Sequence, residues 1–375
     1  MKTVLLIVAS LFLSCALPAQ KQTTFRPATE WPDTEGKHIN AHGGGILKKG
    51  KVYYWYGENR PDAGGSMNTG ISVYTSRDLM NWENRGIALA VSSDTLSPIQ
   101  PGCIMERPKV VYNKKTGKYV MLFHLELKGQ GYAAAQVGFA VADKPEGPFR
   151  FLRGLRPNAG QWPVDFSQKD IDEALALDPA KYANWWTPEW RDAVKKGLFL
   201  ARDQKGGQMS RDMTVYVDDD GTAYHLFSSE ENLTLHLAEL TEDYLDYTGK
   251  YIRIAPGGQN EAPALFKRNG KYWLITSGCT GWAPNEARMF VADSLWGEWK
   301  QLPTPFVGEN AKKTFNGQST FVLPYKNKGF IFMGDIWKPK SLSTSQYLWL
   351  PIQFQEDGTP TIPYREEWTL KDLMK

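Results

Sequence analysis

A short apolar run, a turn centred on Gly or Lys-Gly, and an aromatic-rich strand recur five times along this chain of 375 residues. The units are Ile46–Tyr54, Val110–Tyr119, Val215–Tyr224, Leu265–Trp273 and Phe321–Phe330. One such hairpin cannot bury both of its faces, so its repetition predicts neighbours stacked about an axis, as in a β-propeller. Equivalent positions of successive units then meet at one rim. Counting back from each turn glycine, a polar slot falls at Glu106, Asp212, Glu261 and Gln318, and in the first unit at Ala41-His42. Carboxylates and an amide converging on one funnel predict a site for carbohydrate.

Composition narrows the function classes. Hydrophobic residues make up 42% of the chain, enough for a large core, and the 14 Trp and 17 Tyr suit two tasks. Large rings fill the wedges between blades, and some supply stacking platforms for sugar rings. A net charge of +3, dispersed and without a basic patch interleaved with aromatics, argues against nucleic acid as a partner. Residues 1–20 pair Lys2 with an apolar stretch from Val4 to Leu13 and a small residue at Ala19, the pattern of an export signal. The preferred cut lies near Ala19-Gln20, while Phe12-Leu13-Ser14-Cys15 weakly matches a lipobox that would put lipid on Cys15. The apolar run is too short to span a membrane as a mature helix, and no transmembrane segment is expected. Cys103 and Cys279 then remain, and the sequence leaves open whether they pair. His38, His124, His225 and His236 show no metal-ligand spacing, so no metal site is expected from motif.

Residues 21–37 read as a polar lead-in that helps close the ring, and residues 21–375 as one propeller domain. Alternating, β-branched segments at Ile71–Ser76, Gly138–Ala142, Leu235–Leu240 and Met289–Ala292 are predicted as outer strands. The turns Asp78–Glu83, Gly147-Pro148-Phe149 and Gly297-Glu298-Trp299 are expected to hand the chain to the next blade. The turn glycines at 50, 117, 221, 270 and 329 are spaced by 67, 104, 49 and 59 residues. The long interval holds an insertion, about 154–209, with short helices predicted over Ile171–Leu177 and Trp190–Lys196. It is either a self-packed elaboration built on Trp162, Trp185 and Trp186, or a wall of the substrate pocket. The expected fold is therefore all-β, a five-bladed β-propeller with a short helical insertion between blades 2 and 3.

Glycoside hydrolysis with inversion needs a protonated acid at the leaving oxygen and a second group that positions water on the opposite face. Glu261 and Asp212 each stand nine residues before their turn glycines, which places them at matching heights on neighbouring inner strands. A nearby carboxylate and partial desolvation raise one pKa of such a pair, leaving an acid able to donate at neutral pH. Glu106 supplies a third carboxylate at nearly the same height.

Six segments together resemble glycoside hydrolase family 43: Asn40-Ala41-His42-Gly43-Gly44-Gly45, Tyr54–Glu58, Glu106-Arg107-Pro108-Lys109-Val110, Ser210-Arg211-Asp212-Met213, Glu261-Ala262-Pro263-Ala264 and Phe315-Asn316-Gly317-Gln318-Ser319. The resemblance runs from about residue 37 to 355 and implies a five-bladed propeller that inverts. It implies Glu261 as general acid and Asp212 as the group that modulates its pKa. The first-blade Asp that serves most of the family as base is replaced by His42 and glycines. That departure is similar to the branch of exo-β-1,3-galactanases, in which a Gln orients the water, through its ordinary or its imidic form; Gln318 matches it. Glu106 matches a carboxylate that holds the sugar and assists, and Glu106 or His42 is left as an alternative proton acceptor. His42, Glu58, Asn232, Thr280 and Trp282 lie in segments that the resemblance assigns to sugar binding. No cofactor is required, although relatives carry a cation such as calcium in the central channel.

The expected protein is an exported, inverting exo-glycosidase that releases galactose from β-1,3-galactan or arabinogalactan. Two rivals stand beside it: an α-L-arabinofuranosidase or β-xylosidase of the same family, and a propeller that binds glycans without cutting them. Oligomeric state is not legible in the sequence.

Overall fold

The computed structural model describes residues 21–61, 69–326 and 329–374. The leader read at residues 1–20, Cys15 included, lies outside them. Blade 1 comprises β1 (His42–Lys49), β2 (Val52–Asn59), β3 (Gly70–Ser76) and β4 (Glu83–Ala90), and blade 2 comprises β5 (Ile104–Tyr112), β6 (Tyr119–Glu126), β7 (Gln136–Ala142) and β8 (Arg150–Leu155). Three short helices follow: α1 (Gln168–Leu175), α2 (Pro188–Lys195) and α3 (Leu198–Asp203). Blade 3 is β9 (Met213–Val217), β10 (Ala223–Ser229), β11 (Thr234–Leu240) and β12 (Tyr247–Ile254); blade 4 is β13 (Glu261–Arg268), β14 (Lys271–Ser277), β15 (Arg288–Ala292) and β16 (Lys300–Leu302). In blade 5, β17 (Phe306–Val307) pairs in parallel with β21 (Pro360–Pro363), outside β18 (Gln318–Tyr325), β19 (Gly329–Ile336) and β20 (Gln346–Phe354). The fold is the expected five-bladed propeller, with the helical insertion between blades 2 and 3.

Each blade is a meander because its strands alternate and its tips turn tightly. Gly50, Gly117, Gly221 and Gly270 take left-handed backbone, with φ between 59° and 89°, where the innermost strand folds back on the second. The core is divided among the five wedges between blades. The wedge that closes the ring, between blades 5 and 1, stacks Trp31, Trp55, Trp82, Trp349 and Trp368. The segment before β1 joins this closure through paired backbone bonds between Phe25 and Trp368 and a bond from Ala28 N to Tyr347 O.

Two expectations are corrected. The turns at Asp78–Glu83, Gly147–Phe149 and Gly297–Trp299 do not hand over to the next blade; they lead into a fourth strand of the same blade (β4, β8, β16). Those outermost strands face solvent on the rim, as the exposed first five residues of β4 illustrate, so they lack the apolar alternation that marks the inner three. In the insertion, α1 and α2 begin a few residues earlier than predicted, at the caps Ser167 and Thr187. Helix α3 had no periodic signal of its own. Trp162 packs with the wedge between blades 2 and 3, Trp190 forms the insertion's own core, and Trp185 and Trp186 are half exposed. Among the described residues, no helix is long and apolar enough to cross a membrane.

Candidate active site

The innermost strands β1, β5, β13 and β18 each carry a bulge within their first few residues. In three of them the residue after the polar slot has positive φ: Gly43 (61°), Arg107 (54°) and Ala262 (53°). A bulge bends the strand and re-aims its side chains, and here it does so at the same rim. Gly43 cannot be replaced cheaply, because a Cβ there would stand 2.2 Å from Glu58 Oε1. The result is a cavity of about 370 Å³ to which every blade contributes, including Glu58, Glu106, Asp212, Asn232, Glu261, Trp282 and Gln318. A larger cavity, about 1480 Å³, opens at the opposite end of the ring; it gathers Lys48, Lys49, Lys114 and Lys267 and none of the rim carboxylates, so the chemistry belongs to the smaller one.

Arg107, 5% exposed, ties the cavity floor together. One of its guanidinium nitrogens donates to Asp212 Oδ2 at 2.8 Å and to Gln318 Oε1 at 2.6 Å, while its backbone N–H donates to Glu58 Oε1 at 2.9 Å. Asp212 also accepts from the N–H of Ala262 at 3.1 Å, so the two acidic positions of blades 3 and 4 are directly linked. Glu261 accepts from Asn232 Nδ2 at 2.7 Å. Burial, and then the charge of Asp212, push the Glu261 carboxyl up to about 7, against the opposing pull of Arg107. It therefore keeps its proton where an ordinary carboxyl has lost it.

Glu106 is the opposite case. Burial alone would raise its pKa, but His124 Nδ1 at 3.2 Å and Arg60 at 2.8 Å outweigh it, and the Tyr132 hydroxyl donates at 3.1 Å. The carboxylate is held ionised. His124 lies between Glu106, an ion-pair contact at 3.2 Å, and Glu126, hydrogen-bonded at 2.8 Å, and against burial these carboxylates raise it to about 9, so it is an imidazolium. Gln318 Oε1 accepts from both Arg107 and Trp337 Nε1 (2.8 Å), and its Nε2 donates to Ser277 Oγ at 3.0 Å. Two donors facing the oxygen and an acceptor facing the nitrogen are the partners an ordinary amide takes.

Two residues assigned to sugar binding stand elsewhere. His42 is fully buried, stacked on Tyr347 at 5.2 Å and 3.6 Å from Asp335 Oδ1, behind the cavity wall. The bulge at Gly43 sends the chain past the rim after His42 has turned inward. Thr280 spends its hydroxyl on the loop, donating to Ala283 O and accepting from Asn285. Trp282 does line the cavity, 42% exposed and edge-to-face with Trp337. Cys103 and Cys279 are both free thiols. No described residue of the insertion lines the cavity, which corrects the reading of it as a wall. Arg107, Arg60, Tyr132 and Trp337 had not been singled out; the Glu-Arg-Pro triplet placed Arg107 beside a slot residue, and the others carried no signal.

A metal does not fit here. Glu106, His124 and Asp212 bring ligand atoms within 4.8 Å of one another, yet Arg60 and Arg107 already neutralise the carboxylates and His124 carries its own proton on both sides. Lys109, 2% exposed, stands inside the ring just beyond Arg107, donating to Gly43 O and Arg107 O at 3.0 and 3.3 Å.

A propeller whose rim cavity sets a protonated carboxyl, Glu261, beside an ionised one, Glu106, has the arrangement of a glycoside hydrolase. A profile of glycosyl hydrolases family 43 matches residues 182–360. A solved β-1,3-galactosidase of that family, in complex with galactodeoxynojirimycin, is 57% identical over 92% of this chain and all of its own, with a TM-score of 0.90. The exo-β-1,3-galactanase of Phanerochaete chrysosporium, solved with β-1,3-galactotriose, is 32% identical over 92% of this chain and 68% of its own (TM-score 0.74). That of Clostridium thermocellum is 36% identical over 92% and 66% (TM-score 0.74), so this chain spans about two thirds of the two galactanases. A β-D-galactofuranosidase of Aspergillus niger is 31% identical over 121 residues, 32% of this chain and only 35% of that enzyme's length. The chain belongs to glycoside hydrolase family 43.

Proposed function

We propose that this enzyme is an exported, inverting exo-glycosidase that removes terminal galactose from β-1,3-linked galactan. The observation that carries the mechanism is the Glu261 carboxyl, raised to about 7 by burial and by Asp212 in a cavity small enough for a chain end. The sugar is supported by the galactosidase and galactanases to which the chain is similar.

Glu261 gives its proton to the departing oxygen as the bond to the anomeric carbon breaks, and Asp212 keeps that proton in place until then. Gln318 positions the attacking water. Its oxygen is committed to Arg107 and Trp337, so the remaining N–H of Nε2 donates to the water oxygen and orients it. The water adds to an oxocarbenium-like centre, and the proton it loses as the new C–O bond forms passes to the ionised Glu106 carboxylate, which needs little basicity because the bound water is by then strongly acidic. Glu106, held ionised, accepts from sugar hydroxyls and steadies the ring beside that water. Glu58 and Asn232 complete the polar wall, and Trp282 offers its face to the sugar.

Glu261→Gln should lower turnover of β-1,3-galacto-oligosaccharides by at least about 100-fold, with galactose-like inhibitors still bound. Proton NMR of the first product should show α-galactose. Retention of configuration, or arabinose or xylose released in its place from an aryl glycoside panel, would overturn the reading. Binding without turnover would make the protein a lectin.

A further inference from the structure

The loop between β10 and β11 is four residues long, and three in succession, Glu230, Glu231 and Asn232, have left-handed backbone (φ 51°, 59° and 62°) without a glycine among them. Such a run is unfavourable for L-residues and persists only when its surroundings impose it. Here the surroundings are the helical insertion. Glu230, fully buried, takes a two-pronged bond from Arg253 (2.7 Å each) and meets His236 Nε2 at 2.8 Å. The same Arg253 donates to the carbonyls of Val194 and Lys195, capping the C-terminal end of α2. Glu231 pairs with Arg202 of α3 at 3.0 Å and with Arg211 at 3.2 Å. Leu233 is packed into the insertion's core with Trp190 and Phe199. The remaining loop side chain, Asn232, points the other way and donates to Glu261.

We propose that the insertion is a clamp: it holds the loop in its left-handed turn so that Asn232 fixes one oxygen of Glu261, leaving the other to carry the proton toward the leaving group. Glu231 and Arg202 are thereby positioning residues, acting through Asn232. The inference rests on the reading of Glu261 as the acid. The other groups facing Glu261 are Asp212, Arg107, Arg211 and the Cys279 thiol; the clamp leaves Asp212 and Arg107 in place, while Arg211 pairs with Glu231 and the Cys279 thiol donates to Asn232 O at 3.7 Å, so both follow the loop. Donation from Asn232 favours the ionised carboxyl, so losing it raises the acid's pKa.

The test compares Glu231→Ala, Glu231→Gly and Arg202→Gln in the full chain. Both substitutions at 231 remove the ion pairs, but glycine takes left-handed backbone without strain and also lets the loop leave it. The glycine variant should melt at or above the alanine variant and yet turn over more slowly. Its kcat should be about tenfold below wild type, with KM changed less than about twofold. The alkaline limb of its pH–rate profile should move up, and Arg202→Gln should show a weaker form of the same pattern. A glycine variant as fast as wild type, or one whose rate falls while the limb stays still, overturns the clamp. If Glu261→Gln, assayed beside them, kept its rate, the acid assignment itself would fall; an inactive Glu261→Gln with an unaffected Glu231→Gly sinks the clamp alone.

Discussion

At the scale of single residues the site is governed by where protons and positive charge are held. If Glu261 is the proposed acid, it acts only while protonated, and with its carboxyl pushed up to about 7 turnover should be flat on the acid side and fall as pH rises through about 7. Asp212→Asn removes one of the two influences that raise that carboxyl, so the limb should move to lower pH and the rate at pH 7 should drop. An unmoved limb would separate the two carboxyls electrostatically. Arg107 bridges Asp212, Gln318 and the carbonyl of Ser319 with a planar fork that an ammonium cannot reproduce. Arg107→Lys should therefore cost about 100-fold in kcat/KM, comparable to losing a preorganised donor, and a near-wild-type rate would remove Arg107 from the working site. The slot residues Glu106, Asp212, Glu261 and Gln318 were legible because a repeat carries position along with composition. Arg60, Tyr132 and Trp337 reach the cavity through long-range partners, and nothing in their local sequence marks those. His42 and Thr280 were misplaced for the converse reason: their segments lie at the rim, but a bulge and a loop bond turn the side chains away.

Among elements, the recurrent bulge matters most. It converts a strand of fixed pleat into a support that aims an acidic or amide group at the axis, and in blade 1 it demands glycine. Gly43→Ala places a methyl group against the Glu58 carboxylate at a backbone angle of 61°, so it should cost about 2 kcal/mol or more in stability and most of the activity. A thermal melt with wild-type midpoint would show that the strand can flatten. The inner three strands of each blade were readable from alternation and their turn glycines. The fourth strands were not, since a solvent-facing edge needs neither an apolar face nor a regular period. Helix α3, six residues long, follows Gly197 directly and is buried over most of its length, so no amphipathic stripe announces it.

For the whole molecule, the ring is shut by aromatic packing between its first and last blades, and the N-terminal segment is bound into that closure. Because the leader would be removed on export, we expect the mature chain to begin near Gln20; intact mass would distinguish this from a lipid-bearing Cys15. Within the ring, Arg107 lines the rim cavity and the Lys109 amino group, which donates to the Arg107 carbonyl, lines the larger cavity opposite, and the two share no lining residue. A hydrolase built on a through-channel could draw a polymer in at one mouth and expel monosaccharide from the other. This one has a dead end. On the proposed reading, freed galactose would be trapped beneath the shortened chain and would have to retrace the path by which it came, so the polymer would have to back off after every cut. Early digests of a long galactan should accordingly contain many chains each trimmed by a unit or two, rather than a few consumed to the end.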